Sequence, residues 1–240
     1  MSATTATIWH DVENGSYAAD LPLWLALAER TEGSVLELGC GTGRVALHLA
    51  RRGYETIGLD ADPDLLAALA LRAADLPLST LEADARAFAV EEPVSLVLAP
   101  THLLQLLSDA AERIECLRCV AAALRPGGLL AAAIIEGMPA PDGAPPPIPD
   151  VREVDGWVYS SLAIEAAVGP GEIVVRRLRQ KVSPEGSLSE EPNEVRIVTF
   201  SAETLESEAA VAGLVPVGRH EIPPTELHEG SLVVLLERSS

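Results

Sequence analysis

The stretch ELGCGTG, Glu37 to Gly43, limits what this chain can fold into more sharply than any other part of it. An apolar run, SVLELG, leads into it, and VALHLARRG leaves it with apolar residues at helical spacing. Glycines at 39, 41 and 43 let the backbone bend at once from strand to helix and approach a ligand with no side chain in the way. A second apolar strand, TIGLDAD, reaches Asp60, 17 residues past Gly43, where a carboxylate can accept hydrogen bonds from both hydroxyls of a ribose. These placements predict an open α/β sheet that holds a nucleoside cofactor. The glycine spacing alone would also suit NAD or FAD. Glu37 weighs against a dinucleotide, because its charge would lie close to the pyrophosphate. Asp84, in EADARAF at the end of a short third strand, offers a second acceptor for a base edge.

The pattern of strand then helix continues through the first half of the chain. LPLWLALAERT (21–31) predicts a lead-in helix, and PDLLAALALRAAD the helix after Asp60, with Pro63 suited to its first turn. VSLVLAP (94–100) is the fourth strand, a helical segment runs from Glu112 to Leu124, and RPGG (125–128) is a turn into the fifth strand, LLAAAII. Apolar runs without alternation suit strands buried on both faces of a parallel sheet, and the intervening helices supply its crossovers. After Ile135 the composition changes. GMPAPDGAPPPIPD predicts an extended, proline-rich loop. WVYSSLAIEAAV, EIVVRRLRQKVS and NEVRIVTF then read as an antiparallel meander broken at GPG and PEGSLSEEP. SAETLESEAAVAG is a serine-capped helix ending in glycine, and two strands complete the chain. The expected organisation is an N-terminal cap and lead-in helix (1–33), a cofactor-binding α/β core (34–135), a substrate-side loop and β insertion (136–200), and a C-terminal completion of the core (201–240).

Together these motifs resemble the class I S-adenosylmethionine-dependent methyltransferases, in particular their small-molecule branch. VLELGCGTGR (35–44) is similar to that family's glycine-rich first motif, GLDAD (58–62) to its second, EADAR (82–86) to its adenine-side stretch, and LRPGG (124–128) to the turn before its fifth strand. The resemblance covers roughly residues 17–135 well and 201–240 loosely. It implies a doubly wound, mostly parallel seven-stranded sheet in the order 3-2-1-4-5-7-6, its last strand antiparallel. It implies S-adenosyl-L-methionine as cofactor, held by Glu37, Gly39, Gly41, Gly43, Asp60, Ala61, Asp84 and Ala85, with Pro100 near the donor. Tyr17 is similar to an aromatic that closes over the methionine portion, and packing of the N-terminal segment is its alternative role. APTHLLQLL departs from the acidic or asparagine-containing turn many relatives carry after the fourth strand, which leaves the acceptor open among nitrogen, oxygen and carbon.

Methyl transfer is an in-line displacement, so a protein performs it mainly by aligning the acceptor and excluding water. A base helps an acceptor that must lose a proton, and His102, just past the fourth strand, is the candidate catalytic or orienting group. His10 lies in what reads as a flexible terminus, His48 reads as structural, and His220 and His228 would need their loops to fold inward. Glu136 is a weaker candidate for holding the acceptor. The insertion, with Trp157, Tyr159 and the arginine-rich strand, is the expected substrate wall and a possible homodimer contact.

Charge narrows the partners. Asp and Glu number 36 against 17 Lys and Arg, a net −19, which disfavours nucleic acid and anionic membranes. Arg176, Arg177, Arg179 and Lys181 form the only basic cluster, and strand alternation reads them as one solvated face. Trp24 reads as core and Cys40 as structural. Cys116 and Cys119 form a CxxC on a helix with no second ligand pair, so no metal is expected. The apolar runs are too short to span a bilayer and no secretory leader is evident, so a soluble, cytoplasmic enzyme with a small-molecule acceptor is expected. A protein or RNA methyltransferase, a noncatalytic cofactor-binding protein and an NAD-dependent oxidoreductase are the alternatives.

Overall fold

The computed structural model describes residues 4–137, 148–225 and 230–239. Two N-terminal helices, α1 (Thr5–Asn14) and α2 (Leu21–Arg30), precede β1 (Val35–Leu38). Then follow α3 (Ala46–Ala50), β2 (Thr56–Asp60), α4 (Pro63–Arg72), β3 (Leu78–Glu82) and β4 (Val94–Ala99). A 3-10 turn (Leu103–Gln105), α5 (Ala110–Ala123) and β5 (Leu124–Ile134) complete the first half. The second half contains β6 (Asp150–Val154), β7 (Trp157–Gly169), β8 (Glu172–Val182), β9 (Leu188–Val198), α6 (Ala202–Val211), β10 (Leu214–Ile222) and β11 (Ser231–Arg238).

One seven-stranded sheet has the order β10-β11-β5-β4-β1-β2-β3. Its pairs from β3 to β5 are parallel, and β11 runs antiparallel to both β5 and β10. Numbered along the sheet strands alone, this is the order 3-2-1-4-5-7-6. Every residue of β1 and β4 is buried, which explains why these strands read as unbroken apolar runs. One face packs Leu36, Leu38 and Val97 with Cys116, Leu117 and Val120 of α5 and Leu205 of α6. The other packs Val35, Leu96 and Leu98 with Trp24 and Leu27 of α2. Each fully buried leucine contributes about 1.5–3 kcal/mol relative to exposure. Helix starts follow the expected chemistry: Asp62 and Ser201 accept hydrogen bonds from first-turn amides of α4 and α6.

A second sheet, β6-β7-β8-β9, is the antiparallel insertion after β5. It differs from the sequence reading in three ways. β6 forms just past the expected proline-rich loop, in a stretch to which no strand had been assigned. β9 starts at Leu188 and runs through Pro192, which the edge of a sheet tolerates because β9 pairs only with β8. The basic cluster is not one solvated face, since alternation along β8 sends Arg177 and Arg179 inward and Arg176 outward to Glu165 and Glu194. In the core, RPGG is a bulge inside β5 rather than a turn before it: Leu124 lies opposite Val94 and Leu129 opposite Leu96. From Thr4 onward the N-terminal segment is likewise no loose tail. Thr4 caps α1, and Ile8, Trp9 and Val12 are buried against Tyr159 of the insertion.

Candidate functional site

A cavity of about 750 Å³ opens beyond the carboxyl ends of β1, β2 and β4, where open α/β sheets bind ligands. Gly39, Asp60, Ala61, Asp84, Ala85 and Pro100 line its core side. Asp60 is held in place by two backbone amides: Gly41 N donates to Oδ2 at 2.8 Å and Asp62 N to Oδ1 at 3.0 Å. Each oxygen keeps a lone pair for a ligand. Asp84 is gripped by Arg86, with Nε at 2.9 Å from Oδ1 and Nη2 at 2.6 Å from Oδ2. These hydrogen bonds pull the Asp84 carboxyl down to about 2, so it is an acceptor at any physiological pH.

The glycines do more than clear space for a ligand. Gly39 and Gly41 have φ of 63° and 52°, which favours glycine. A Cβ on Gly39 would come within 2.7 Å of Leu103, and one on Gly41 within 2.1 Å of His10. Gly39 faces the cavity, whereas Gly41 is covered by His10 and Gly43 by Leu69. Glu37 also lies off the cavity lining. It is 3% exposed and accepts the Ala46 amide at 2.6 Å, bracing the start of α3, and burial pushes its carboxyl up to about 8.

The opposite wall comes from outside the core. Val175 and Arg177 of β8, Val195 and Ile197 of β9, and His10, Glu13, Asn14 and Tyr17 around α1 complete the lining. Asp11 and Glu13 tie this wall together. Asp11 accepts from Thr42 at 2.6 Å and pairs with Arg72 at 2.5 Å and Arg152 at 2.9 Å. Burial opposes its ionisation, but the Arg72 and Thr42 hydrogen bonds prevail and hold its pKa below the ordinary value. Glu13 accepts from Arg179 at 2.7 and 2.8 Å and from Ser161 at 2.8 Å. Asp20, also on the lining, takes both Nη groups of Arg44 at 2.5 and 2.7 Å and the Trp24 indole N–H at 2.7 Å. The Arg44 guanidinium lies 5.0 Å from the centre of the Tyr17 ring.

His102 sits where the two walls meet. Thr101 and His102 have φ of 50° and 64°, a left-handed backbone that costs such residues on the order of 1–3 kcal/mol each. Burial holds the imidazole down to about 4, with Asp20 opposing, so the ring is neutral near pH 7. Its Nδ1 is buried with no hydrogen-bond partner among the described residues.

Residues 35–128 match the family described as a methyltransferase domain. The cypemycin N-terminal methyltransferase of a Streptomyces species is 31% identical over 114 residues, 47% of this chain and 46% of that protein. The chain therefore aligns with about half the length of this curated relative. Among solved structures, the CcbJ methyltransferase of Streptomyces caelestis matches with TM-score 0.71 at 22% identity, covering 100% of this chain and 99% of that one. A sugar N-methyltransferase from Streptoalloteichus matches with TM-score 0.74 at 20% identity, covering 100% and 94%. This chain has the class I S-adenosylmethionine-dependent methyltransferase fold.

On that methyltransferase fold the cavity brings together Tyr17, Gly39, Asp60, Ala61, Asp84, Ala85, Pro100 and His102 from the sequence reading, while Glu37, Gly41 and Gly43 support the loop from behind. Trp157 and Tyr159 are not on the lining: Tyr159 packs edge-on against Trp9 and Lys181 lies over Trp157. Glu136 does not face the cavity either, since it caps α6 by accepting the Ala202 amide at 2.7 Å. His220 joins Glu136 in a separate surface hollow, and His228 lies outside the described residues. His48 is on α3, off the cavity, and Cys116 is core. Sequence reasoning missed Glu13 and Asp20, undervalued His10, and named Arg177 only as part of the arginine-rich strand of the expected substrate wall. The one available signal was the Thr4 cap followed by apolar residues at 8, 9 and 12, which marks a helix able to carry His10 and Glu13 inward.

Proposed function

We propose that this chain transfers a methyl group from S-adenosyl-L-methionine to a nitrogen or oxygen of a small-molecule acceptor. The observation that carries the reading is the two-sided cavity: fixed carboxylates at the ends of β2 and β3 on one side, and a neutral histidine with an inserted β wall on the other. The residues fit the cofactor. Asp60 would receive the ribose hydroxyls, Asp84 the adenine amino group, and Tyr17 would lie beside the methionine portion. When bound, S-adenosylmethionine supplies the electrophilic methyl group on a cationic sulfur. A charged imidazolium near such a cation would be repelled, and burial prevents it from forming at His102. The neutral ring instead accepts a hydrogen bond from the acceptor N–H or O–H and orients it. Val175, Val195 and Ile197 exclude water from the acceptor side.

Relatives point the acceptor toward nitrogen: similar folds include a sugar N-methyltransferase and an amino pentose methyltransferase from Micromonospora echinaspora solved with S-adenosylmethionine bound. A peptide amine is the second reading, favoured by the match to the cypemycin enzyme. We also place the chain in the cytoplasm, supported by its three free cysteines, and assign the outer face of the insertion to a homodimer, supported by exposed Val158 and Leu188, which flank Val182 on that face. No helix among the described residues is long and apolar enough to cross a membrane.

The experiment is calorimetric titration with S-adenosylhomocysteine, with NADH as comparison, on the parent chain and on Asp60→Ala. Saturable binding that Asp60→Ala weakens supports the assignment and leads to an acceptor screen. Tight NADH binding without S-adenosylhomocysteine binding overturns it.

A further inference from the structure

Gln105 is wholly buried two residues past the Thr101–Leu103 corner and three past His102, with no contact to the cavity. Its side-chain amide is spent entirely on the insertion's two roots. Nε2 donates to the Ile135 carbonyl at 2.8 Å, where the chain leaves β5, and to the Val198 carbonyl at 2.9 Å, where it ends β9. Oε1 accepts the Ile135 amide at 2.7 Å. The same turn presses Leu103 against Gly39 of the glycine loop. Two left-handed residues, Thr101 and His102, persist only if neighbours fix the backbone on both sides of them. Pro100 fixes the backbone immediately before them, and the Gln105 amide supplies the constraint on the insertion side.

We propose that Gln105 is a positioning residue that locks the His102 turn to both roots of the insertion, so that His102 and the acceptor wall hold one geometry. This rests on the role assigned to His102 above. Gln105→Met keeps the volume and removes every hydrogen bond, whereas Gln105→Asn keeps the amide but falls short by one methylene.

The test follows the His102 ring protons by NMR across pH 8 to 5, together with amide exchange of β6 to β9 and S-adenosylhomocysteine affinity. In the parent chain the His102 signals should stay flat across that range. In both variants they should titrate within it as the ring gains water, exchange across the insertion should rise at least about tenfold, and affinity should hold within about threefold. An unmoved His102 titration overturns the proposal. Loss of fold in both variants also overturns it, because Gln105 would then support the whole core, as does a collapse of affinity alongside the histidine shift. Failure of the parent chain to bind S-adenosylhomocysteine counts against the methyltransferase reading alone, and the histidine signal still decides the role of Gln105.

Discussion

The two sheets of this molecule hold the two sides of one cavity by different means. The central strands β1 and β4 of the seven-stranded sheet are sealed on both faces, and the sheet's contribution to the site is mostly backbone: a bent glycine loop, amides that fix Asp60, and a strand end at Pro100. The four-stranded insertion is covered on one face only, and side chains attach it: Arg179 to Glu13, Arg152 to Asp11, Tyr159 against Trp9, and Gln105 at its roots. On the proposed function, a wall held by side chains changes its acceptor by a few substitutions without disturbing the side assigned to the cofactor. Sites elaborated on a shared fold need that separation.

Equivalent cuts in the two regions test the contrast. The largest effect is expected at Glu208, whose pair with Arg113 joins α5 to α6 at side-chain exposures of 9% and 6%. Glu208→Ala strands a buried guanidinium and should cost roughly 3–5 kcal/mol, a fall in Tm on the order of 10 °C. A melt within about 2 °C of the parent would break the claim that the core sheet is the rigid partner. Asp60→Ala should weaken S-adenosylhomocysteine binding roughly 10- to 100-fold with little change in Tm, because it removes charge-assisted hydrogen bonds without opening the core. Calorimetry beside a melt separates the two.

Once a screen has supplied an acceptor, His102→Ala should lower turnover roughly 10- to 100-fold while cofactor affinity holds within about twofold. Since burial keeps His102 down to about 4, turnover of the parent should carry no acid limb from this group between pH 6 and 8. An acid limb in that range that the alanine variant loses would place a charged ring in the site. Glu13→Gln is the insertion's counterpart to Glu208→Ala. Its pair with Arg179 is partly solvated, at exposures of 11% and 19%, so it should cost only about 1 kcal/mol, raise amide exchange in β7 and β8, and leave S-adenosylhomocysteine affinity intact. Equal losses at Glu13 and Glu208 would erase the distinction.

The smallest effect concerns Glu37 and appears only as a slope. Burial raises its folded pKa to about 8, above the ordinary carboxylate value of the unfolded chain. The folded chain therefore retains a proton that the unfolded chain releases, and stability falls as pH rises from the ordinary carboxylate range through about 8. Glu37→Gln should flatten that decline, with Tm at pH 8.5 rising relative to the parent by on the order of a few °C. Parallel slopes in melts at pH 5 and 8.5 would show that Glu37 is ionised in the fold.

Much of the core was legible in the chain, and the reason is local. A continuous apolar run such as VSLVLAP, a capping serine such as Ser201 and a glycine required at a left-handed turn each report on their own few residues, while the strand order came from the family resemblance those motifs carry. α1 was not legible because its stability comes from partners far along the chain: Trp9 meets Tyr159, and Glu13 meets Arg179. β6 and the start of β9 are local hairpins instead, and the signal for β6 was overlooked: Asp155 and Gly156, both at positive φ, form the tight turn that pairs Val154 with Trp157. Glu37 and Glu136 carried the right chemistry for a site and were drawn instead to nearby helix amides.

By itself, the sequence determined the parallel core, the glycine loop and the carboxylates Asp60 and Asp84, since strand periodicity and turn chemistry are encoded over spans of ten residues or so. Only the tertiary structure decided that α1 closes over the loop, that Arg177 faces the cavity while Arg176 faces away, and that His102 stays neutral. Each of those depends on which distant surface displaces water from a side chain, and no short window of sequence contains that information.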